Sequence, residues 1–131
     1  MKKTLIILFA LMPLGCSFYY SSDSSVKSSH SSSTSSSKSE AKKEAYRDDI
    51  RDFTAAYAST HQDLQGFEHG LGEVARRHGI TDWEADDITY IAVGAGLKRA
   101  AVSGADLASY ETTIGRTEPA KVALIRSGYA S

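Results

Sequence analysis

Residues 81–104, TDWEADDITYIAVGAGLKRAAVSG, carry the clearest signals for an α-helix in this sequence. Thr81 and Glu84 have the spacing of a capping box, in which a hydroxyl and a carboxylate accept hydrogen bonds from the first free amides of a helix. Further acidic side chains follow closely and suit the positive end of the helix dipole. The pattern predicts a helix that begins at Thr81 and ends at Gly104.

Apolar side chains cover a wide arc of this predicted helix. At helical spacing they fall on two adjacent sides, with Ile88, Ile91, Ala95 and Val102 on one and Trp83, Tyr90 and Leu97 on the other. Such an arc is typical of a helix that packs against several neighbours at the centre of a bundle. Gly94 and Gly96 add a flat patch on which another helix can pack closely.

Similar patterns predict four further helices. Residues 41–59 place Tyr46, Ile50, Phe53 and Tyr57 on one stripe, and residues 62–78 place Leu64, Phe67, Leu71, Val74 and His78 on another. Gly79 is the expected C′ residue of the second of these helices. Two shorter helices are expected at residues 106–114 and from about residue 119 to Gly128, where an early proline indicates the start. The predicted fold class is all-α, a small bundle of four or five helices in residues 41–131.

The charge balance of the helical region indicates which partners it does not have. Residues 41–131 contain 11 Lys and Arg and 14 Asp and Glu, a net charge of −3 when the histidines are neutral. They form no basic stripe, although such a stripe is the usual footprint of nucleic-acid binding. We therefore expect no nucleic-acid partner.

The first 40 residues have a different composition. Lys2 and Lys3 precede an apolar run at residues 4–14, which is shorter than the ~20 residues of a membrane-spanning helix. Cys16, the only cysteine, follows, and 14 of the 23 residues at 17–39 are serine. A segment with so few apolar side chains cannot offset its chain entropy, so residues 16–40 are predicted to form a disordered tether.

The order of a charged start, a short apolar core, the small residue Gly15 and then Cys16 resembles a bacterial lipoprotein precursor. The resemblance implies that residues 1–15 are a signal peptide that is removed, and that Cys16 carries acyl chains such as palmitate. Ser17 is compatible with export to the outer membrane, where the chain would face the periplasm. Pro13 stands where such precursors usually have leucine, and the alternative is ordinary secretion with cleavage near Ser17.

Residues 41–131 carry no complete motif for nucleotide or calcium binding. The run from Gly94 to Lys98 lacks the glycine spacing of a phosphate loop and the hydroxyl that follows its lysine. The acids that begin at Asp82 lack the glycine and the final glutamate of a calcium loop. Helix packing and helix capping explain these two runs better.

The sequence also lacks the residue spacing of a zinc site and the motif of a catalytic nucleophile. His69 and Glu73 share a helix face, but His61 and His78 lie more than a turn away in opposite directions, so only two ligands are local. The helical region has no cysteine and no nucleophile elbow. We expect no enzyme, no metal site and no cofactor.

Trp83 and Tyr90 are the candidate partner-binding residues. Trp83 is the only tryptophan, and it stands among acids at the start of the predicted central helix. Tryptophan and tyrosine are enriched among the residues that dominate protein interfaces, while a role as a core anchor is the alternative. A groove near Trp83, or the glycine patches, is the expected surface.

Residues 79–84, GITDWE, and residues 126–129, RSGY, resemble segments of small uncharacterised lipoproteins of Gram-negative bacteria. This resemblance implies no activity. We predict a membrane-anchored envelope lipoprotein that presents a small helical protein-interaction domain in the periplasm and binds an envelope protein. A pilot-type or exclusion-type lipoprotein, which assists or blocks an envelope apparatus, is one alternative. An enzyme that acts on cell wall or lipid is another.

Overall fold

The computed structural model describes residues 34–60 and 63–131. They form five α-helices, namely α1 (Thr34–Thr60), α2 (Leu64–Arg77), α3 (Asp87–Arg99), α4 (Gly104–Ile114) and α5 (Pro119–Ala130), with a 3₁₀ turn at Trp83–Ala85 before α3. These residues include no β-strand, so the predicted all-α fold is confirmed. Among them, no helix has the length and apolar character needed to cross a membrane. The predicted signal peptide, Cys16 and most of the serine-rich segment lie outside the described residues.

α1 is longer than its apolar pattern predicts. It begins at Thr34 rather than near residue 41, so residues 34–40 of the predicted tether are helical. The first turns contain lysine, glutamate and alanine, which are good helix formers and extend the helix back through the serines. The side chains at 37–45 are all exposed, whereas Tyr46 is buried, so α1 enters the core only from Tyr46 onward.

Both ends of α2 are defined by capping residues, and its C-terminal end is the one that the sequence predicts. Asp63 caps its start, since the carboxylate accepts hydrogen bonds from two amides of the first turn, the nearer at 3.0 Å. Gly79 follows the helix with a φ of 78°. The amide of Ile80 donates to the carbonyl of Ala75 at 2.9 Å, which completes a Schellman motif. The prediction of Gly79 as the C′ residue is confirmed.

The start of α3 differs from the prediction. Its cap is Asp86, whose carboxylate accepts a hydrogen bond from a first-turn amide at 2.9 Å. Thr81 is not the cap, because the chain first makes the 3₁₀ turn, in which the amide of Asp86 donates to the carbonyl of Trp83 at 3.2 Å. Both positions carry capping side chains. The contact between Trp83 and Tyr90, whose ring centroids are 6.4 Å apart, favours the later one.

α3 also ends before its predicted end, at Arg99. Ala101 has a φ of 56°, and the amide of Val102 donates to the carbonyl of Leu97 at 3.0 Å in a second Schellman motif. Alanine in this left-handed conformation costs about 1 kcal/mol. Tertiary contacts offset this cost, because Val102 packs against the core and its carbonyl accepts a hydrogen bond from the Tyr129 hydroxyl at 2.7 Å.

α3 packs against both α1 and α5, as the wide apolar arc predicts. A Cβ added to Gly94 would lie 1.9 Å from the Ile125 carbonyl oxygen of α5. A Cβ added to Gly128 of α5 would lie 1.9 Å from the Ile91 carbonyl oxygen of α3. A Cβ added to Gly96 would lie 2.6 Å from the Arg51 carbonyl oxygen of α1. Gly128 therefore lies inside α5 as a contact residue, and the prediction that it ends this helix is wrong.

All five helices contribute to one core. Its largest buried side chains are Tyr46, Ile50, Phe67, Leu71, Val74, Tyr90, Val93, Leu97, Ile114 and Ile125. The buried hydroxyls have partners within the core, because the Tyr46 and Thr89 oxygens are 2.6 Å apart and the Thr54 hydroxyl donates to the Ile50 carbonyl at 2.7 Å. This shared core fixes the positions of the helices and therefore of the side chains on their surface.

Three buried tyrosines predict a loss of stability in alkaline solution. Burial raises the pKa of Tyr46, Tyr90 and Tyr110 above the usual value of 10.0. Below pH 10 the three phenols are neutral in both the folded and the unfolded chain, so they leave the free energy of unfolding unchanged. Above pH 10 the unfolded chain loses these protons first. The free energy of unfolding therefore falls as the pH rises.

Urea denaturation followed by far-UV circular dichroism measures this effect at pH values from about 8 to about 11. We expect a constant midpoint up to about pH 10 and a falling midpoint beyond it. Tyr46→Phe is the matched variant, since it loses about 1 kcal/mol of hydrogen bonding at every pH but has one titrating phenol fewer. Its midpoint should fall less steeply above pH 10. Equal slopes for the two proteins would contradict the assignment to buried phenols.

Candidate protein-binding surface

Trp83 is half-buried on the 3₁₀ turn rather than enclosed in the core. One side of the indole lies over α2 at Gly72, where an added Cβ would contact Trp83 Nε1 at 3.6 Å. The indole also contacts the Tyr90 ring, at an interplanar angle of 47°. Part of the Trp83 side chain remains exposed. Trp83 thus packs against the core and keeps part of its side chain exposed.

Tyr90 is 1 % exposed, so a partner cannot contact its side chain in this structure. Its hydroxyl donates to the carbonyl of Glu84 at 2.9 Å, and Lys121 Nζ lies 5.6 Å from the ring centroid. The prediction of Tyr90 as a partner-contacting residue is wrong, because Tyr90 is buried in the core. Tyr90 instead supports the turn that carries Trp83.

The turn that carries Trp83 is held from two directions. The Glu84 carboxylate forms an ion pair with Arg116, which follows α4. The Glu84 carbonyl accepts the hydrogen bond from Tyr90. An aromatic side chain held in this way loses little conformational entropy when a partner binds it.

The predicted glycine patch of α3 is not a free surface. Gly94 and Gly96 are buried, the first against the backbone of α5 and the second against α1. The expectation that this patch could receive a partner is wrong, because helices of the same chain already occupy it. The two glycines predicted close helix packing, and this packing covers them.

An open groove lies beside Trp83, and we call it the Trp83 groove. It encloses about 450 Å³ and is lined by Glu68, His69, Gly72, Glu73, Arg76, Ile80, Thr81 and Trp83. Ile80 and Trp83 supply its apolar surface. Glu73 and Arg76 form an ion pair along α2, while Glu68 has no ion pair with another described residue. The groove therefore offers an apolar surface with an acidic rim.

A second depression, the Tyr46 pocket, shares Ile80 with the Trp83 groove. It encloses about 250 Å³ and is lined by Lys42, Lys43, Tyr46, His78, Ile80, Asp86 and Ile88. His78 Nε2 lies 2.8 Å from a carboxylate oxygen of Asp49, and its ring centroid is 5.4 Å from that of Tyr46. The two lysines form no ion pair with the described part of the chain. The sequence pattern did not single out this pocket.

The side chains that the sequence analysis weighed as metal ligands do not come together in the structure. His69 and Glu73 both line the Trp83 groove, as their spacing on one helix face predicts. His78 instead lies toward Asp49 and the Tyr46 pocket, and His61 is outside the described residues. Within 34–60 and 63–131, no three histidine, cysteine, aspartate or glutamate side chains come together as metal ligands would.

Ile80 is the site residue that sequence patterns did not reveal. As the C″ residue after Gly79 it has the position that usually contacts the preceding helix in a Schellman motif. That signal predicts an apolar contact, and Ile80 does pack against the core. It does not predict that the same side chain also lies between two depressions.

No protein-family model, curated protein or solved structure matches this chain. The arrangement of its own residues is therefore the basis for the function proposed next.

Proposed function

We propose that this chain is a lipid-anchored protein of the bacterial cell envelope that binds a protein partner through the Trp83 groove. The observation that carries the proposal is the position of Trp83. The only tryptophan of the chain lies half-exposed on a braced turn beside a groove, although burial in the core would remove more apolar surface from water. Aromatic anchors in such positions often dominate binding energy.

The N-terminal sequence supports the anchoring part of the proposal. A charged start, an apolar run too short to span a membrane, Gly15 and Cys16 have the order of a lipoprotein precursor. A lone cysteine cannot form a disulfide within the chain, and lipid attachment explains its presence in an exported protein. The serine-rich residues that follow suit a spacer between a membrane and the helical domain.

A pilot-type role is the variant that the groove favours. Pilot lipoproteins are small and often helical, and such a role requires a groove that receives a segment of the partner. The Trp83 groove is open and has apolar surface at Ile80 and Trp83. A crosslinking experiment on this groove therefore tests the general proposal and the pilot-type variant together.

Site-specific crosslinking in the native host tests the proposal on the full chain. A photo-crosslinking residue replaces His69, which is exposed and lines the Trp83 groove. The matched control carries it at Ala123, which is exposed on α5 and lines none of the depressions described above. We expect a specific product from position 69 alone. Trp83→Ala should reduce it by about tenfold or more, as expected for an interface hot spot.

Two further controls separate binding from folding and anchoring. Leu64→Ala removes a half-buried apolar side chain from a different depression, so it should leave the crosslinked product unchanged. Intact-mass analysis should show a lipid-sized increment in the wild-type protein that Cys16→Ser abolishes. A chain that starts after Ser17 without lipid would overturn the anchoring, and a product insensitive to Trp83→Ala would overturn the groove.

A further inference from the structure

The Trp83 groove and the Tyr46 pocket carry opposite charges. The groove is lined by two carboxylates, Glu68 and Glu73, and one guanidinium, Arg76. The pocket is lined by two ammonium groups, Lys42 and Lys43, and the capping carboxylate of α3. With neutral histidines, each depression has one net charge, negative in the groove and positive in the pocket. The two lie side by side on one surface because both include Ile80.

The junction between the two depressions is apolar. Ile80 lines both of them, Trp83 lines the groove on one side, and Ile88 lines the pocket on the other. All three side chains are half-buried, so each packs partly on the core and keeps some surface exposed. The surface therefore has an apolar centre with an acidic half and a basic half. Protein interfaces commonly have this arrangement of an apolar centre and a charged rim.

Such a surface is complementary to itself. In a two-fold symmetric dimer the same patch is used by both chains, so each contact between unlike residues occurs twice. If the axis passes near Ile80, the lysine pair of one copy faces the glutamate pair of the other, and the reverse holds on the opposite side. Ile80 of one copy then faces Ile80 of its partner. An unrelated partner would have to match both halves independently.

We propose that the partner bound at this surface is a second copy of this chain, in a two-fold symmetric dimer centred on Ile80. The inference rests on the proposed function for the use of the Trp83 groove, but it does not require the lipid anchor. Three charges that line the surface, those of Lys42, Lys43 and Glu68, have no ion-pair partner among the described residues. The second copy supplies partners of opposite sign. Because the attraction is electrostatic and near the surface, salt weakens it.

Charge reversal with two differently tagged full-length copies, co-expressed in the native host, tests the dimer. One variant carries Lys42→Glu and Lys43→Glu, and the other carries Glu68→Lys and Glu73→Lys. Two copies of the same variant bring like charges together, so co-purification should fall by about tenfold or more relative to wild type. When one copy of each variant is combined, both symmetric contacts are attractive again. Co-purification should then return at least to the wild-type level.

The controls distinguish this surface from the rest of the domain. Lys98→Glu with Arg99→Glu reverses another pair of neighbouring basic residues, which are exposed and line neither depression. This pair should leave co-purification unchanged. All reversed side chains are exposed or half-exposed, so circular dichroism should show wild-type helicity in every variant.

The outcomes separate the dimer from the proposed function. Wild-type copies that do not co-purify, or reversed variants that co-purify as well as wild type, would overturn the dimer. A crosslink from position 69 to a different protein, with no association between copies, would overturn the dimer and leave the proposed function in place. If wild-type copies associate but carry no lipid on Cys16, the dimer is retained and the lipid-anchored function is overturned.

Discussion

Gly94→Ala and Gly128→Ala should each lower the free energy of unfolding by about 3 kcal/mol, although alanine is the better helix former by about 1 kcal/mol. An added Cβ at either position would lie 1.9 Å from a carbonyl oxygen of the facing helix. A backbone carbonyl cannot rotate away as the end of a flexible side chain can. α3 and α5 would therefore have to separate, and the contacts that depend on their close approach would be lost.

The contact between α3 and α5 is reciprocal, which explains the size of the expected effect. Gly94 of α3 faces Ile125 of α5, and Gly128 of α5 faces Ile91 of α3. Each helix thus presents a glycine to a carbonyl of the other. Ile125 is fully buried beside this contact, so any separation also opens the core. For a domain whose total stability is about 5–15 kcal/mol, either change removes a large share.

Gly72→Ala is the matched control, because it makes the same substitution inside another helix. Its added Cβ would meet Trp83 at 3.6 Å, an ordinary van der Waals distance. This variant should gain up to about 1 kcal/mol from helix propensity. Urea denaturation followed by circular dichroism compares the three variants with wild type. A wild-type midpoint for Gly94→Ala would show that α3 and α5 do not approach as closely as described.

Phe67→Ala should cost about 3–5 kcal/mol, which is the usual penalty for removing a fully buried aromatic side chain. Phe67 is 0 % exposed and lies between three other rings. Its centroid is 5.7 Å from that of Phe53, 5.6 Å from that of Tyr57 and 5.3 Å from that of Tyr110. These contacts join α2 to α1 and α4. The substitution would leave a cavity at the point where three helices meet.

Phe67→Leu distinguishes the cavity from the loss of ring contacts. Leucine keeps most of the apolar volume, so we expect a smaller cost of about 1.5 kcal/mol, mainly from lost aromatic pairing. The midpoint and slope of urea denaturation measure both variants. Equal costs for alanine and leucine would indicate that neighbouring side chains fill the space. The assignment of Phe67 to the junction of three helices would then be wrong.

Local sequence patterns predicted the structure correctly where a residue in its sequence context has one plausible structural role. Gly79 follows an amphipathic segment and precedes the apolar Ile80, and only a left-handed turn explains that order well. The wide apolar arc around Tyr90 and Leu97 predicted a central helix for a similar reason, since several packed faces require several neighbours. These features depend on spacing along one segment, so tertiary contacts did not need to decide them.

Local sequence patterns gave wrong predictions where a residue in its sequence context is compatible with two structural roles. Gly128 fits a helix end and also a close helix contact, and only the position of α3 shows that it is the contact. Thr81 and Asp86 both carry capping side chains, and the packing of Trp83 on Tyr90 selects Asp86. Ala101 carries no signal for a helix end at all. Its left-handed conformation is maintained by contacts of Val102 with distant residues.

The candidate surface was predicted in part. Trp83 was identified from its type and position, and the structure places it beside a groove. Tyr90 was assigned to the same surface because tyrosine is enriched at interfaces, but the packing of α3 buries it. Ile80 and the lysines of the Tyr46 pocket were missed, since residues far apart in sequence form that pocket. Cys16 stays a prediction from sequence.

The sequence by itself determined the helical class, the central helix and the use of Gly94 and Gly96 for close helix packing, because apolar spacing and missing side chains act within one segment. It also carries the whole case for a lipid on Cys16. The tertiary structure alone decided where α3 begins and ends, that Tyr90 is buried, and that Ile80 lies between an acidic and a basic depression. Those features depend on which distant side chains compete for the same space. No local pattern contains that information.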